Sequence, residues 1–365
     1  MLKKDQLSRM TIKGYKSIKS CDISFGQINV LIGSNGAGKS NFISAFSLLR
    51  AILMKNLQVA VAKKSVNALL YEGMKVTDEI EFEVYFGNNS YGFSLVPTDD
   101  NRLIFRKEFF GYHGQWENES NVARGHSESY WNVGAHNQID QYVIPILEQQ
   151  NWRVYHFHDT GRSARVKQEH SISNNKDLAF DAGNLAAFLF RIKKNYKKNY
   201  DEIVQTIRLI APYFSDFILE PQEGNEELIV LKWQQKGCED IFNASQLSDG
   251  TLRFICLATL FLQPHELQPA TIIVDEPELG LHPYAISIFA EMVKQLSVEK
   301  QVIISTQSVE LLNEFDVEDI IVVDRGSGGS EFKRLNKESL EAWLEEDYAL
   351  GDLWKKNIIG GRLSK

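Results

Sequence analysis

The sequence predicts an α/β fold: a mainly parallel, doubly wound sheet covered by helices, with an antiparallel β subdomain and a helical insertion. Three observations predict it. First, apolar runs at 271–276, 301–306 and 319–324 alternate with helical patterns at 251–262 and 283–296. Short strands that read as apolar throughout are buried on both faces, as in a parallel sheet. Second, Ile28-Asn-Val-Leu-Ile32 reads as a buried strand ended by Gly33. A helix follows Lys39, with Phe42, Ile43, Phe46, Leu49 and Ile52 at three-to-four spacing. Third, the period changes to two from Glu79. Ile80, Phe82, Val84 and Phe86 alternate, 87–90 turns, and 91–96 returns as a hairpin.

The remaining elements follow in order. Residues 12–18 and 23–25 read as short strands, and 102–110 as a third strand beside the hairpin. The stretch 111–138 is polar and aromatic-rich and reads as a surface loop, ordered or mobile. Residues 151–157 are strand-like. Residues 184–211 form one or two helices, with Leu185, Phe188, Leu189, Ile192 and Tyr196 on one face. Residues 227–233 read again as strand. The expected organisation is 1–85 and 245–365 as the two parts of one α/β unit, and 86–244 as an antiparallel β and helical insertion.

At 365 residues the chain can bury a sizeable core. Its 43% hydrophobic and 24% charged content is that of an ordinary globular protein. The net charge of −8 means that any nucleic-acid contact must come from a local patch. Cys21, Cys238 and Cys256 are widely spaced and show no metal spacing, which fits a reducing compartment. The first ten residues are polar, and the most apolar stretch, 254–262, is too short to span a bilayer. A soluble, cytoplasmic protein without a membrane partner is expected.

Gly33-Ser-Asn-Gly-Ala-Gly-Lys-Ser40 matches GxxxxGK[ST] in the setting the motif requires, after a strand and before a helix. Glycines let successive N–H groups turn inward toward phosphates. Lys39 would reach the β- and γ-phosphates, and Ser40 would ligate Mg²⁺. The run Thr271-Ile-Ile-Val-Asp-Glu276 ends in two carboxylates. Asp275 would order Mg²⁺ and its waters, and Glu276 would accept a proton from an attacking water. Adjacent strand side chains point to opposite faces, so Glu276 is expected where the strand is ending. Leu247-Ser-Asp-Gly-Thr251 opens a helix and supplies a second anion-binding end.

These motifs resemble the ABC-type P-loop ATPases, whose signature reads close to LSGGQ; Asp249 and Thr251 depart from it. Ile12-Lys-Gly-Tyr-Lys-Ser-Ile18, Asn41 after the P-loop, Asp275-Glu-Pro-Glu-Leu-Gly-Leu-His-Pro283 and Ser305-Thr-Gln-Ser308 narrow the likeness to the RecF/SMC-like branch. Tyr348-Ala-Leu-Gly-Asp-Leu-Trp354 and Gly360-Gly-Arg362 look like its short bacterial predicted ATPases, related to the ATPase part of overcoming-lysogenization-type proteins. The resemblance implies an ABC-ATPase head of RecF/SMC type that binds ATP and Mg²⁺. ATP would lie at the interface of a homodimer, between Gly33–Asn41 of one copy and Ser248 and Gly250 of the other. It further implies hydrolysis coupled to DNA or to a protein effector such as a separate nuclease, in DNA repair or anti-phage defence. Catalysis would fall to Lys39, Glu276 and Gln307. The last replaces the usual switch histidine and leaves open an ATP-binding scaffold with little turnover. A transporter ATPase subunit fits less well, because the path from P-loop to signature is long.

Smaller signals carry two readings each. His156-Phe-His-Asp159 is a polar strand end near the nucleotide or, less readily, a metal site. His282 either couples two sites across a dimer or is a plain surface histidine. Arg191, Lys193, Lys194, Lys197 and Lys198 form a solvated helix face or a nucleic-acid contact.

Overall fold

The computed structural model describes residues 2–114, 117–133, 139–148, 152–340 and 348–361. The readings at Gln138, Asn151 and Arg362 lie outside the described residues. The chain opens with β1 (Arg9–Tyr15) and β2 (Ile18–Ser24), an antiparallel hairpin. The single strand expected at 12–18 is therefore corrected. Gly14 at φ 70° and Lys16 at φ 50° turn the chain back inside that stretch. Next come β3 (Ile28–Ile32), α1 (Lys39–Leu53), α2 (Leu57–Ala62) and α3 (Val66–Leu69).

The period-two region forms β4 (Ile80–Phe86), β5 (Asn89–Pro97), β6 (Leu103–His113) and β7 (Glu117–Ala123). Together with the first hairpin they make one six-stranded antiparallel sheet in the order β2-β1-β4-β5-β6-β7. The strand β7 lies in the stretch read as a loop. Its sequence, Glu-Asn-Glu-Ser-Asn-Val-Ala, has too few apolar residues to show a period, and pairing with β6 is what orders it.

After α4 (Asp140–Glu148), β8 (Trp152–Tyr155) leaves the antiparallel sheet for the edge of the parallel one. Further along lie β9 (His170–Ser171), α5 (Leu185–Asn195), α6 (Lys197–Ile210), β10 (Phe214–Ile218), β11 (Leu228–Ile229), β12 (Lys232–Gln235) and β13 (Ile241–Asn243). The strand expected at 227–233 is thus two, in different small sheets.

The last third alternates α7 (Asp249–Leu262), β14 (Thr271–Asp275), α8 (Pro283–Ser297), β15 (Gln301–Thr306), α9 (Val309–Leu312) and β16 (Ile320–Gly326). The chain then runs into β17 (Gly329–Arg334) and α10 (Leu350–Lys355). The second six-stranded sheet has the order β17-β16-β3-β15-β14-β8, parallel except for β17.

Strand alternation sorts this sheet's side chains into two cores. Val30, Ile272, Val274, Val302, Ile304, Ile320 and Val322 pack with α5 to α8. Leu31, Ile273, Ile303, Ile321 and Val323 pack with α1 and the antiparallel sheet. Each fully buried side chain of this size contributes about 1.5–3 kcal/mol. A charge placed on either face would therefore disrupt a core. The carboxyl ends of β3, β14 and β15 converge on one edge, where ligands sit in doubly wound folds.

Candidate functional site

The glycine-rich turn links β3 to α1 at this edge. A Cβ on Gly33 would lie 2.3 Å from Val323 O, so the turn packs directly on β16. Gly38, at φ 121°, would place a Cβ 2.0 Å from Ser330 Oγ. The Ser330 hydroxyl sits 2.6 Å from Ala37 O and 2.7 Å from Ser17 Oγ, and Asn41 Nδ2 donates to Ser17 Oγ at 2.8 Å. The Ser34 amide donates to Gly361 O at 2.6 Å. The turn is thus braced by the first hairpin, by β17 and by the segment after α10. Asn35, Gly36 and Ser40 remain exposed, while Ala37, Gly38 and Lys39 are buried.

Lys39 Nζ donates to Gly33 O at 2.6 Å and Ser34 O at 3.1 Å. Burial lowers its pKa, opposed by the charges of Glu276, Asp275 and Glu278. The lysine therefore lies within the electrostatic reach of the acidic strand end.

Asp275 ends β14 and is buried. Glu276 lies just beyond the strand, with its backbone at φ 44°. Such a conformation costs a non-glycine residue of order 1–3 kcal/mol. It swings the second carboxylate out of the strand's alternation. Gln307 Nε2 donates to Glu276 Oε1. The Thr306 hydroxyl and the Gln307 backbone are held by Glu278. Its Oε1 accepts from Thr306 Oγ1 at 2.6 Å and from Gln307 N at 3.1 Å. Burial pushes the Glu278 pKa up, partly opposed by those hydrogen bonds.

Among the described residues, four buried side-chain atoms in this region have no hydrogen-bond partner: Ser34 Oγ, Asp275 Oδ1, Glu278 Oε2 and Ser305 Oγ. Orphaned buried polar atoms are rare enough to need a cause. A polar ligand with a hard cation supplies one. The carboxylate of Asp275 and the exposed hydroxyl of Ser40 are the oxygen donors that Mg²⁺ takes.

The second helix end is built differently. Ser248 caps α7, its Oγ accepting from Thr251 N at 3.1 Å and lying 2.8 Å from Thr251 Oγ1. A Cβ on Gly250 would lie 2.4 Å from Gly280 O. These contacts tie Ser248 and Gly250 to α7 and to the 279–282 loop rather than to the glycine-rich turn. The same loop is held by Arg253 of α7, which donates to Leu279 O, to Phe157 O at 2.9 Å and to His158 O at 3.1 Å. His282 caps α8, its Nδ1 accepting from Tyr284 N at 3.3 Å.

Sequence reasoning missed Glu278, Arg253, Ser17 and Ser330, whose partners lie 24 to 313 residues away. It weighed His156 and His158 without a partner. Both flank Asp275, and burial lowers the pKa of His156, with nearby Asp275 raising it and His158 lowering it. The His-x-His pattern at a strand end was the available signal. The pairing of β8 with β14 gives it meaning.

A family profile described as "AAA domain, putative AbiEii toxin, Type IV TA system" matches residues 28–313, most of the chain. The chain belongs to this family. No curated protein matches its sequence. Among solved structures, this AAA-domain chain is similar to an Smc head bound to the C-winged helix domain of ScpA. That match has 18% identity and a TM-score of 0.61, and covers 92% of this chain and 99% of that one. It is also similar to an Smc head with an extended coiled coil, bound to the C-terminal domain of ScpA, from Pyrococcus furiosus. Here the identity is 16% and the TM-score 0.57, over 93% and 99% of the two chains. A third is an Smc head with a coiled coil and joint from Pyrococcus yayanosii, at 14% and 0.54, over 93% and 99%. At these identities the likeness shows the fold: the AAA-domain chain has the P-loop architecture of an SMC head. Among the described residues no helix is long and apolar enough to cross a membrane.

Proposed function

We propose that this AAA-domain protein is an ATP-driven dimerising switch that hydrolyses ATP and couples the cycle to DNA or to a protein effector, in DNA repair or anti-phage defence. One observation carries the reading: Lys39 is buried in the field of Asp275, Glu276 and Glu278, while Gln307 holds Glu276. A triphosphate laid on the glycine-rich turn would take its lysine from Lys39 and its N–H donors from the start of α1. Ser40 and Asp275 would hold Mg²⁺, which neutralises charge on the phosphate oxygens. Glu276 would take the proton of an attacking water, and Gln307 would orient that water once its bond to Glu276 breaks.

The dimer rests on the second helix end. Ser248 is exposed at the tip of α7, and the neighbouring loop and the first turn of α8 carry the exposed apolar side chains Leu279 and Tyr284. A second copy would bring Ser248 and Gly250 to the γ-phosphate held by the first. The toxin–antitoxin wording of the family profile and the ScpA domain bound to the Smc head support coupling to a protein effector.

The test is ATP turnover and mass in solution for wild type and Glu276→Gln. The expected result is steady turnover in wild type. In Glu276→Gln, turnover should fall by ~100-fold or more, with an ATP-stabilised dimer. Equal inactivity of both would remove the enzyme reading. It would favour a scaffold with little turnover, to which the Gln307–Glu276 hydrogen bond already lends support.

A further inference from the structure

The strands β8 and β14 run parallel with Tyr155 opposite Val274. The next residue on each, His156 and Asp275, therefore stand side by side at the sheet's ligand edge. His156 Nδ1 lies 3.8 Å from Asp275 Oδ2, beyond hydrogen-bond reach. The histidine's backbone is fixed: its N–H donates to Phe180 O at 2.9 Å, and Arg253 holds the carbonyls of Phe157 and His158. The neighbouring ring has a different task. His158 Nε2 donates to Asp275 O at 2.8 Å, so that nitrogen carries a proton and braces the end of β14. Asp275 Oδ1, meanwhile, is buried without a partner.

We propose that His156 is a nitrogen ligand to the divalent cation held by Asp275 and Ser40. The site then takes a first-row transition ion in preference to Mg²⁺. The inference rests on the nucleotide reading above and deepens it. Two ligands on one octahedral ion with bonds of about 2.1 Å lie ~3.0 Å apart when adjacent and ~4.2 Å when opposite. The 3.8 Å between imidazole and carboxylate is too long for a direct hydrogen bond and longer than the adjacent spacing, so the two side chains would close in slightly on a shared ion.

Ligand chemistry sets the preference. Mg²⁺ favours an all-oxygen shell and keeps its waters. An imidazole moves a site toward first-row transition ions, whose affinity for nitrogen donors is higher. Among the described residues no group of three or more His, Cys, Asp or Glu could hold a metal ion. Two side chains and a hydroxyl need phosphate oxygens to complete the shell, so the cation should bind with the nucleotide and not before it.

Mn²⁺ is the probe, added with a non-hydrolysable ATP analogue to protein labelled with ¹⁵N-histidine and read by pulsed electron paramagnetic resonance. Wild type should show a ¹⁵N-histidine coupling to bound Mn²⁺, which His158→Gln keeps and His156→Gln loses. In competition, Mn²⁺ should displace Mg²⁺ with a preference of at least ~10-fold in wild type, falling to near parity in His156→Gln. The wild-type spectrum decides the matter even if a variant fails to fold. Bound Mn²⁺ without histidine coupling would overturn this inference and leave the nucleotide reading standing. No nucleotide-dependent Mn²⁺ binding at all would overturn both.

Discussion

The two helix ends at 38–41 and 248–251 carry the same partial positive charge and are finished in opposite ways. The α1 end has no side-chain cap; Gly38 occupies the position at φ 121°, and a lysine is folded in beside it. The α7 end is closed by its own serine, which accepts from Thr251 N. A helix leaves its first N–H groups unpaired, and a capping side chain satisfies them. The α1 end is thus prepared to receive an anion within its own chain. The α7 end is stable alone and would have to give up a serine contact to receive one. Under the proposed dimer, that asymmetry would set an order: binding by the open end first, closure by the capped end second.

The largest effect expected is at the open end. Lys39→Ala should weaken ATP binding by ~100-fold, the scale of a charge-assisted phosphate contact, as read by titration calorimetry. Undiminished affinity would mean that the uncapped helix is not the anion site, and the contrast with α7 would lose its meaning. Gly38→Ala should follow. Its Cβ would meet Ser330 Oγ at 2.0 Å in backbone already at φ 121°, so a loss of about 2–3 kcal/mol is expected in denaturant melts. A variant as stable as wild type would show that the turn tolerates an ordinary cap.

The closed end is sharpened by two substitutions at one position. Ser248→Ala removes the cap and should lower stability by about 1 kcal/mol while also weakening ATP-dependent association. Ser248→Asp keeps a capping oxygen, so stability should hold, but its charge opposes a phosphate. Dimerisation by light scattering should then be lost with single-copy ATP affinity unchanged. If Ser248→Asp dimerises with ATP as well as wild type does, the serine is a cap and nothing more.

The parts of the site legible in sequence are those whose chemistry is local. Gly33 to Ser40 announces itself because glycines, lysine and serine must sit at fixed offsets on one turn. The strand at 271–275 shows its apolar run and its terminal acid for the same reason. Ser17 and Gly361 lie in motifs that show only a family likeness and Ser330 in none, yet all three brace the turn from distant parts of the chain. Glu278 is, in the sequence, the third acid of Asp275-Glu-Pro-Glu278 and nothing local marks it out. Its function shows only in its bonds to Thr306 and Gln307 on the neighbouring strand's end.

Alternation and spacing determined the two-faced parallel sheet, the hairpin at 80–97 and the phosphate turn, because each depends on residues close enough in sequence to impose a period. Tertiary structure alone decided that β1 and β2 extend the antiparallel sheet and that β8 crosses to the parallel one. It also decided that His156 comes to stand beside Asp275. Strand pairing selects partners by complementary faces and edges across more than a hundred residues, and no local pattern records which edge a strand will find.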